Sequence, residues 1–277
     1  MKEISKLVVL IAAAVTGILA LFMGNNPIQV DDNYTNDVRW QDEELPESTL
    51  NYIPTQALGD ELIEHTYYTV SYSSHHQNPE WVAYELQSAL LERTQDQKRS
   101  NFRSDPATEA EAKSSDYSNS GYDRGHLVPA YDMNFNEQAM KESFYMTNVS
   151  PQVPDFNRGI WKSLESKVRK WAEEERRLYV IAGPLLRKRV SHDDRIIDDG
   201  PTVPRGFYKI ILDYDGSNKK GIAFMFKNKE IDRPLEDFVT TIDKVEEYTN
   251  IDFFPNLNPE EERALESISS AHLWNFE

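Results

Sequence analysis

The stretch GYDRGHLVPAYDM at 121–133 sets Asp123, Arg124, Gly125 and His126 in a row and follows them with Pro129 and Asp132. That grouping suits chemistry on a phosphate. An imidazole can take up a proton near neutral pH, and a guanidinium can neutralise charge that develops on oxygen. In an extended segment Arg124 and His126 share a face, because side chains alternate along a strand. Gly125 between them lets other groups approach the backbone closely.

A second set of residues lies on a helix predicted over 156–175, with Asp155 as its cap. On a wheel of 100° per residue, Ile160, Trp161, Leu164, Val168, Trp171 and Ala172 fall within about 60° of Asn157. Asn157 is therefore a polar residue at the head of an apolar stripe, where its carboxamide needs a partner. A nearby backbone group would satisfy it, and so would a metal ion. Arg158, Lys162, Glu165 and Arg169 line the adjacent flank. Such a flank is ordinarily a solvated face with paired charges. In a strongly acidic chain, the cations Arg158, Lys162, Lys167, Arg169 and Lys170 also suit a phosphate backbone.

Strands are expected to hold these segments in place. YYTVSYS at 67–73 and WVAYEL at 81–86 are rich in β-branched and aromatic residues, as is YMTNVS at 145–150, which carries Asn148. The apolar run at 178–182 ends at Gly183 and Pro184, and 207–213 with 221–227 forms a hairpin around 214–218. Helices are expected over 134–142 and 235–247, and a long polar loop over 93–120. The pairs His75–His76 and His192–Asp193 read as surface loops rather than metal sites. The pattern is α+β, with a mostly antiparallel sheet.

The 277 residues carry 47 acidic against 30 basic side chains, a net charge of −17. That balance argues against a protein that coats nucleic acid non-specifically, but not against an enzyme with a small cationic site. The chain has no cysteine, which excludes disulfides, thiolate metal sites and cysteine nucleophiles. Lys2 and Lys6 precede an apolar run at 7–23, so residues 1–24 read as a signal peptide or membrane anchor and the protein as exported. Residues 25–66 are acidic, with Pro27, Pro46 and Pro54, and read as a linker. Residues 259–277 read as an acidic tail.

Taken in order, these segments resemble the sugar-non-specific DNA/RNA endonucleases of the ββα-metal superfamily. The matching motifs are DRGHLVPA at 123–130, TNVSPQ at 147–152 and FNRGIW at 156–161 with Leu164, Glu165 and Arg169. AGP at 182–184, Val203 with Pro204, and DFFP at 252–255 follow. The resemblance covers 67–258 and implies a nuclease domain of ββα-metal fold there. By that resemblance, His126 would be the general base and Asn157 the one direct protein ligand of Mg²⁺, with Mn²⁺ as the alternative ion. Glu165 would hold the ion's water shell, Arg124 and Arg169 would stabilise the phosphate, and Asp123 and Asn148 would support the site. DNA and RNA would both be cut, leaving 5′-phosphates. A phosphodiesterase for small nucleotide diesters is the nearest alternative. An anchored binding protein without activity is the more distant one, and the joint presence of His126, Asn157 and Glu165 argues against it.

Overall fold

A computed structural model of the chain describes residue 48 and residues 50–277, apart from 94–96, 110, 190, 192–193, 195, 197–199, 217 and 270. Chain contacts divide at Glu43/Glu44, and the unit described here is the second, Glu44–Glu277. The apolar run at 7–23, the first part of the expected linker, and His192 with Asp193 lie outside the described residues. Among the described residues no helix is long and apolar enough to cross a membrane.

Seven strands form one antiparallel sheet: β1 (Glu61–Glu64), β2 (Thr69–Ser73), β3 (Asn78–Gln87), β6 (Arg177–Pro184), β7 (Gly206–Asp213), β8 (Lys220–Lys227) and β9 (Val239–Thr240), in that spatial order. β4 (Asp123–His126) and β5 (Val149–Gln152) make a separate antiparallel pair. The helices are α1 (Ser88–Glu92), α2 (Glu137–Ser143), α3 (Lys162–Glu175), α4 (Ile242–Thr249) and α5 (Pro259–Glu266).

The central strands are buried on both faces, and the two-residue period sorts their side chains into two cores. Val82, Tyr84, Val180, Phe207, Ile211 and Phe224 join Trp161, Leu164, Val168 and Trp171 beneath α3. Trp81, Ala83, Tyr179, Ile181, Tyr208 and Ile210 join Ile242 and Val245 of α4 and Leu265 of α5 on the opposite face. β4 and β5 therefore precede a helix that lies across one face of the large sheet.

Several boundaries differ from the sequence reading. Residues 48–66, expected in the linker, are folded. β1 pairs with β2, Trp81 Nε1 donates to Thr55 O at 2.9 Å, and Leu50, Tyr52, Ile53 and Ala57 pack on the second core. The buried Glu80 carboxylate holds this segment by accepting from the backbone N–H groups of Ala57, Leu58 and Gly59 and from Ser71 Oγ. Polar composition suggested a linker because the fixing partner is a carboxylate far along the chain.

The expected acidic tail is also structured. Asn258 accepts from the N–H groups of Glu260 and Glu261, Pro259 opens α5, and Glu260, Glu261 and Glu262 occupy its first turn, where the helix dipole favours negative charge. Trp274 then packs on Trp171 at 4.8 Å. The helix expected over 235–247 is instead a 3₁₀ turn (Leu235–Phe238), the short β9 and α4, capped by Thr241. The strand expected over 145–150 begins with a 3₁₀ turn (Met146–Asn148). Asp155 is not a cap, because Pro154 already occupies the first helical position. His76 is buried with its Nδ1 3.3 Å from Thr202 Oγ1, whereas His75 is exposed.

Removing the Glu80 carboxylate leaves four donors without their acceptor. Glu80→Ala is expected to cost about 3 kcal/mol, a sum limited by water reaching the loosened segment. Urea denaturation measures this, and an unchanged midpoint would show that residues 57–59 are held by something else.

Candidate active site

β4 and β5 pair with Asp123 opposite Gln152, Gly125 opposite Ser150 and His126 opposite Val149. Gly125 is required by its neighbour, since a Cβ there would lie 2.2 Å from the Gln152 side chain. Behind the pair, Asn148 is wholly buried. Its Nδ2 donates to Val128 O and Ser143 O, and its Oδ1 accepts from Val128 N at 2.9 Å. Asn148 thus clamps the chain just after His126 and does not line the cavity in front of it.

The helix expected to run unbroken from 156 widens into a π turn over Asn157–Trp161, where Gly159 leaves helical geometry at φ −97° and ψ −110°. Asn228 fixes the entry to this turn: its Oδ1 accepts from Val153 N and its Nδ2 donates to Pro151 O. Trp161 Nε1 donates to His126 O at 3.3 Å and joins the turn to β4. The wheel reading placed Asn157 in the buried stripe. The wide turn leaves it half-buried at the cavity edge, while Ile160, Trp161, Leu164, Val168, Trp171 and Ala172 are buried.

A cavity of about 680 Å³ brings together Asp123, Arg124, His126, Asn157, Glu165 and Arg169, with Arg99, Phe102, Tyr131, Arg158 and Lys162 also on its wall. Five cationic side chains thus face two carboxylates, in a chain whose net charge is −17. A larger groove of about 870 Å³, along Leu185, Phe226, Ile231 and Phe238, contains none of these residues.

His126 packs between Phe102 at 4.9 Å and Phe144 at 4.8 Å, and its Nε2 is shielded without a hydrogen-bond partner. Burial, assisted by the Arg99 guanidinium, pushes the imidazole down to about 3, so the ring is neutral at physiological pH. Asp123 accepts from Asn157 Nδ2 at 2.9 Å and from Arg158 through two bonds of 2.9 and 2.7 Å. Partial burial opposes its charge, but these hydrogen bonds outweigh it and hold the carboxyl below its ordinary range. Because Asn157 donates to Asp123, its Oδ1 is turned away and accepts from none of the described residues.

The guanidinium groups are preorganised. Arg124 donates to Ser114 O and Oγ and lies over the rings of Phe102 and Tyr117. Arg169 donates to Asp132 Oδ1 at 2.8 Å and to Ser166 Oγ, and lies 4.6 Å over the Tyr131 ring. Asp132 is buried and also accepts from Tyr84 at 2.9 Å.

Beneath this layer is a residue that sequence reasoning missed. Lys209 alternates with Phe207 and Ile211 on β7, is wholly buried, and lies 4.7 Å from the Trp161 ring with Nζ 3.4 Å from Leu127 O. Burial pushes the lysine down, while Glu165 and Asp132 pull it up. Glu165 is raised to about 7 by burial, against the attraction of Lys209 and with Asp132 adding to the rise. The signal was available as a single lysine inside FYKIIL, an otherwise apolar strand at 207–212.

The donor set fits a hydrated divalent cation. Asn157 Oδ1 and the Glu165 carboxylate are oxygen acceptors in one cavity that have no donor among the described residues. Hard cations such as Mg²⁺ take oxygen ligands and retain several waters.

The profile of the DNA/RNA non-specific endonucleases matches residues 46–260, most of the chain. The chain belongs to that family. It is 32% identical over 232 residues to the mitochondrial nuclease EXOG of Danio rerio, covering 79% of this chain and 68% of that protein. It is 31% identical over 228 residues to a nuclease of Nostoc sp., covering 77% of this chain and 81% of that protein. Its structure is similar to a solved EndoG/EndoGI complex, with a TM-score of 0.65 and 28% identity over 71% of this chain and 86% of that one. The fold is thus that of the ββα-metal nucleases, and the protein is a metal-dependent endonuclease.

Replacing Lys209 leaves Glu165 and Asp132 without their buried counter-charge. Lys209→Met is expected to lower stability by about 3 kcal/mol, measured by chemical denaturation at neutral pH. An unchanged midpoint would mean that the two carboxyls are already neutral in the folded protein.

Proposed function

We propose that this nuclease hydrolyses phosphodiester bonds in both DNA and RNA, with His126 as general base and Asn157 as the direct protein ligand of Mg²⁺, or of Mn²⁺ in its place. The observation that carries this reading is the meeting, in one cationic cavity, of a neutral imidazole with two oxygen-bearing side chains that have no donor among the described residues. When bound, the divalent ion supplies charge stabilisation at the phosphoryl group and its leaving oxygen.

The residues divide the remaining work. His126 accepts a proton from the attacking water, and the imidazolium formed is stabilised by the phosphate charge beside it. Asp123 orients Asn157 by accepting from its Nδ2, so that Oδ1 faces the ion. Glu165, on the cavity wall, would hold the water shell of the ion. Arg124 and Arg169, held by Ser114 and Asp132, present guanidinium charge to the phosphate oxygens at little reorganisation cost. These contacts read phosphate rather than base or 2′-hydroxyl, which supports action on both polymers. The products would carry 5′-phosphates.

Export is proposed on the apolar run at 7–23 behind Lys2 and Lys6. Cell fractionation separates secreted, periplasmic and membrane-anchored forms.

With the full chain, plasmid DNA and RNA are both expected to be cut with Mg²⁺ and to survive with chelator. His126→Ala is expected to lower kcat by roughly 10²–10⁴-fold, and Asn157→Ala to raise the Mg²⁺ concentration for half-maximal rate. Near-native cleavage by a folded His126→Ala protein would remove the base, and an unchanged Mg²⁺ titration would remove the ligand. Cleavage of small diesters without polymers would favour the narrower phosphodiesterase.

The depressed histidine also has a pH signature. At saturating metal, the acid limb of kcat/KM is expected below the ordinary histidine range, and that of kcat above it, because bound phosphate raises the imidazole in the complex. Coincident limbs near the ordinary histidine value would contradict the buried, neutral ring.

A further inference from the structure

On the sheet face opposite α3, helices α4 and α5 meet through Ile242, Val245 and Leu265. At that junction Asp243, Glu246 and Glu266 each place a carboxylate oxygen within 4.8 Å of the other two. The three are graded in exposure: Asp243 is exposed, Glu246 half-buried, and Glu266 only 2% exposed. An acidic cluster at a surface needs no ligand. Here, however, Oε1 of the buried Glu266 is shielded from solvent and has no hydrogen-bond partner among the described residues. A buried carboxylate oxygen without a donor is costly, and converging like charges increase that cost.

Glu246 is anchored on one side, where its Oε1 accepts from Phe253 N at 2.9 Å. Burial, with the charges of Glu246, Glu262, Asp252 and Asp243, pushes Glu266 up to about 9. Burial and the charges of Asp252, Asp243 and Glu262 push Glu246 up to about 7. Lys244, on the same helix, pairs instead with Glu247 at 2.5 Å.

Ca²⁺–oxygen bonds of about 2.3–2.6 Å allow ligands up to roughly 5 Å apart across the ion, which accommodates three oxygens that lie within 4.8 Å of one another. The donors are all oxygen, which suits a hard cation rather than zinc or copper. We propose that Asp243, Glu246 and Glu266 form a second divalent-cation site, which takes Ca²⁺, that ties α4 to α5 and, through Glu246, to the backbone at Phe253. This site is structural and separate from the nuclease centre, which lies on the α3 side of the sheet.

Ca²⁺ alone is titrated into the chelator-treated full chain, with calorimetry and thermal denaturation as readouts, in the native sequence and in Asn157→Ala. The second protein removes the proposed ligand at the nuclease centre, so failure of that assignment remains distinguishable. Expected are one Ca²⁺ bound to Asn157→Ala and a Tm rise of about 5 °C at saturation. Glu266→Gln is expected to lose that rise while keeping Mg²⁺-dependent cleavage at its native rate. Without metal it should melt no lower than the native protein, because a neutral amide of similar shape replaces a carboxyl that burial already holds protonated. Asp243→Asn, at an exposed position, serves as the second variant and should weaken Ca²⁺ at least tenfold. No Tm rise in Asn157→Ala, or an equal rise in Glu266→Gln and Asp243→Asn, would overturn the site.

Discussion

The active side of this nuclease depends on one buried cation. Lys209 projects from an apolar strand into the interface between the sheet and α3, where Glu165 and Asp132 supply the compensating charge. Asp132 in turn holds Arg169, and Glu165 faces the cavity. The lysine therefore allows two carboxyls to sit in poorly hydrated positions, one fixing a guanidinium and one lining the cavity. Hydrophobic residues of equal volume would pack as well there. They would not set the charge of a cavity that has to receive both an anion and a divalent ion.

Geometry above this layer comes from irregular backbone. A continuous helix from Phe156 would carry Asn157 into the apolar stripe. The wide turn ending at Trp161 instead holds it at the cavity edge, while Trp161 itself reaches back to the backbone of His126. The same turn places Arg158 against Asp123, which is bonded to Asn157. β4 and the wide turn are thus fixed to each other through Trp161, Asn157 and Arg158, and Asn148 secures the backbone that follows His126.

Much of this was legible before any coordinates. The alternating and apolar strands over 67–86, 178–184 and 207–227 are local patterns, and each is found in the sheet. The same holds for the row from Asp123 to His126 and for the apolar stripe of α3. What escaped depended on distant partners. Residues 50–66 look like a linker because the backbone of 57–59 is held by the side chain of Glu80, and 259–277 look like a tail because capping by Asn258 and packing on Trp171 are invisible to composition. Lys209 was hidden for the opposite reason. Within a strand pattern one lysine passes as an outward-facing residue, and only the helix on that face makes it interior.

The net charge of −17 can be reconciled with a polyanionic substrate by separating near from far fields. Exposed charges beyond about 10 Å are largely screened at moderate ionic strength. A phosphate within the cavity therefore meets Arg99, Arg124, Arg158, Lys162 and Arg169 rather than the average of the surface. Part of the acidity also has structural work away from the cavity: Glu80 binds the 57–59 backbone and Glu260 to Glu262 open α5. At the junction of α4 and α5, Asp243, Glu246 and Glu266 bring three carboxyls together from an exposed to a buried position. The acidity is thus compatible with nuclease chemistry because the cavity itself sets five cations against two carboxylates.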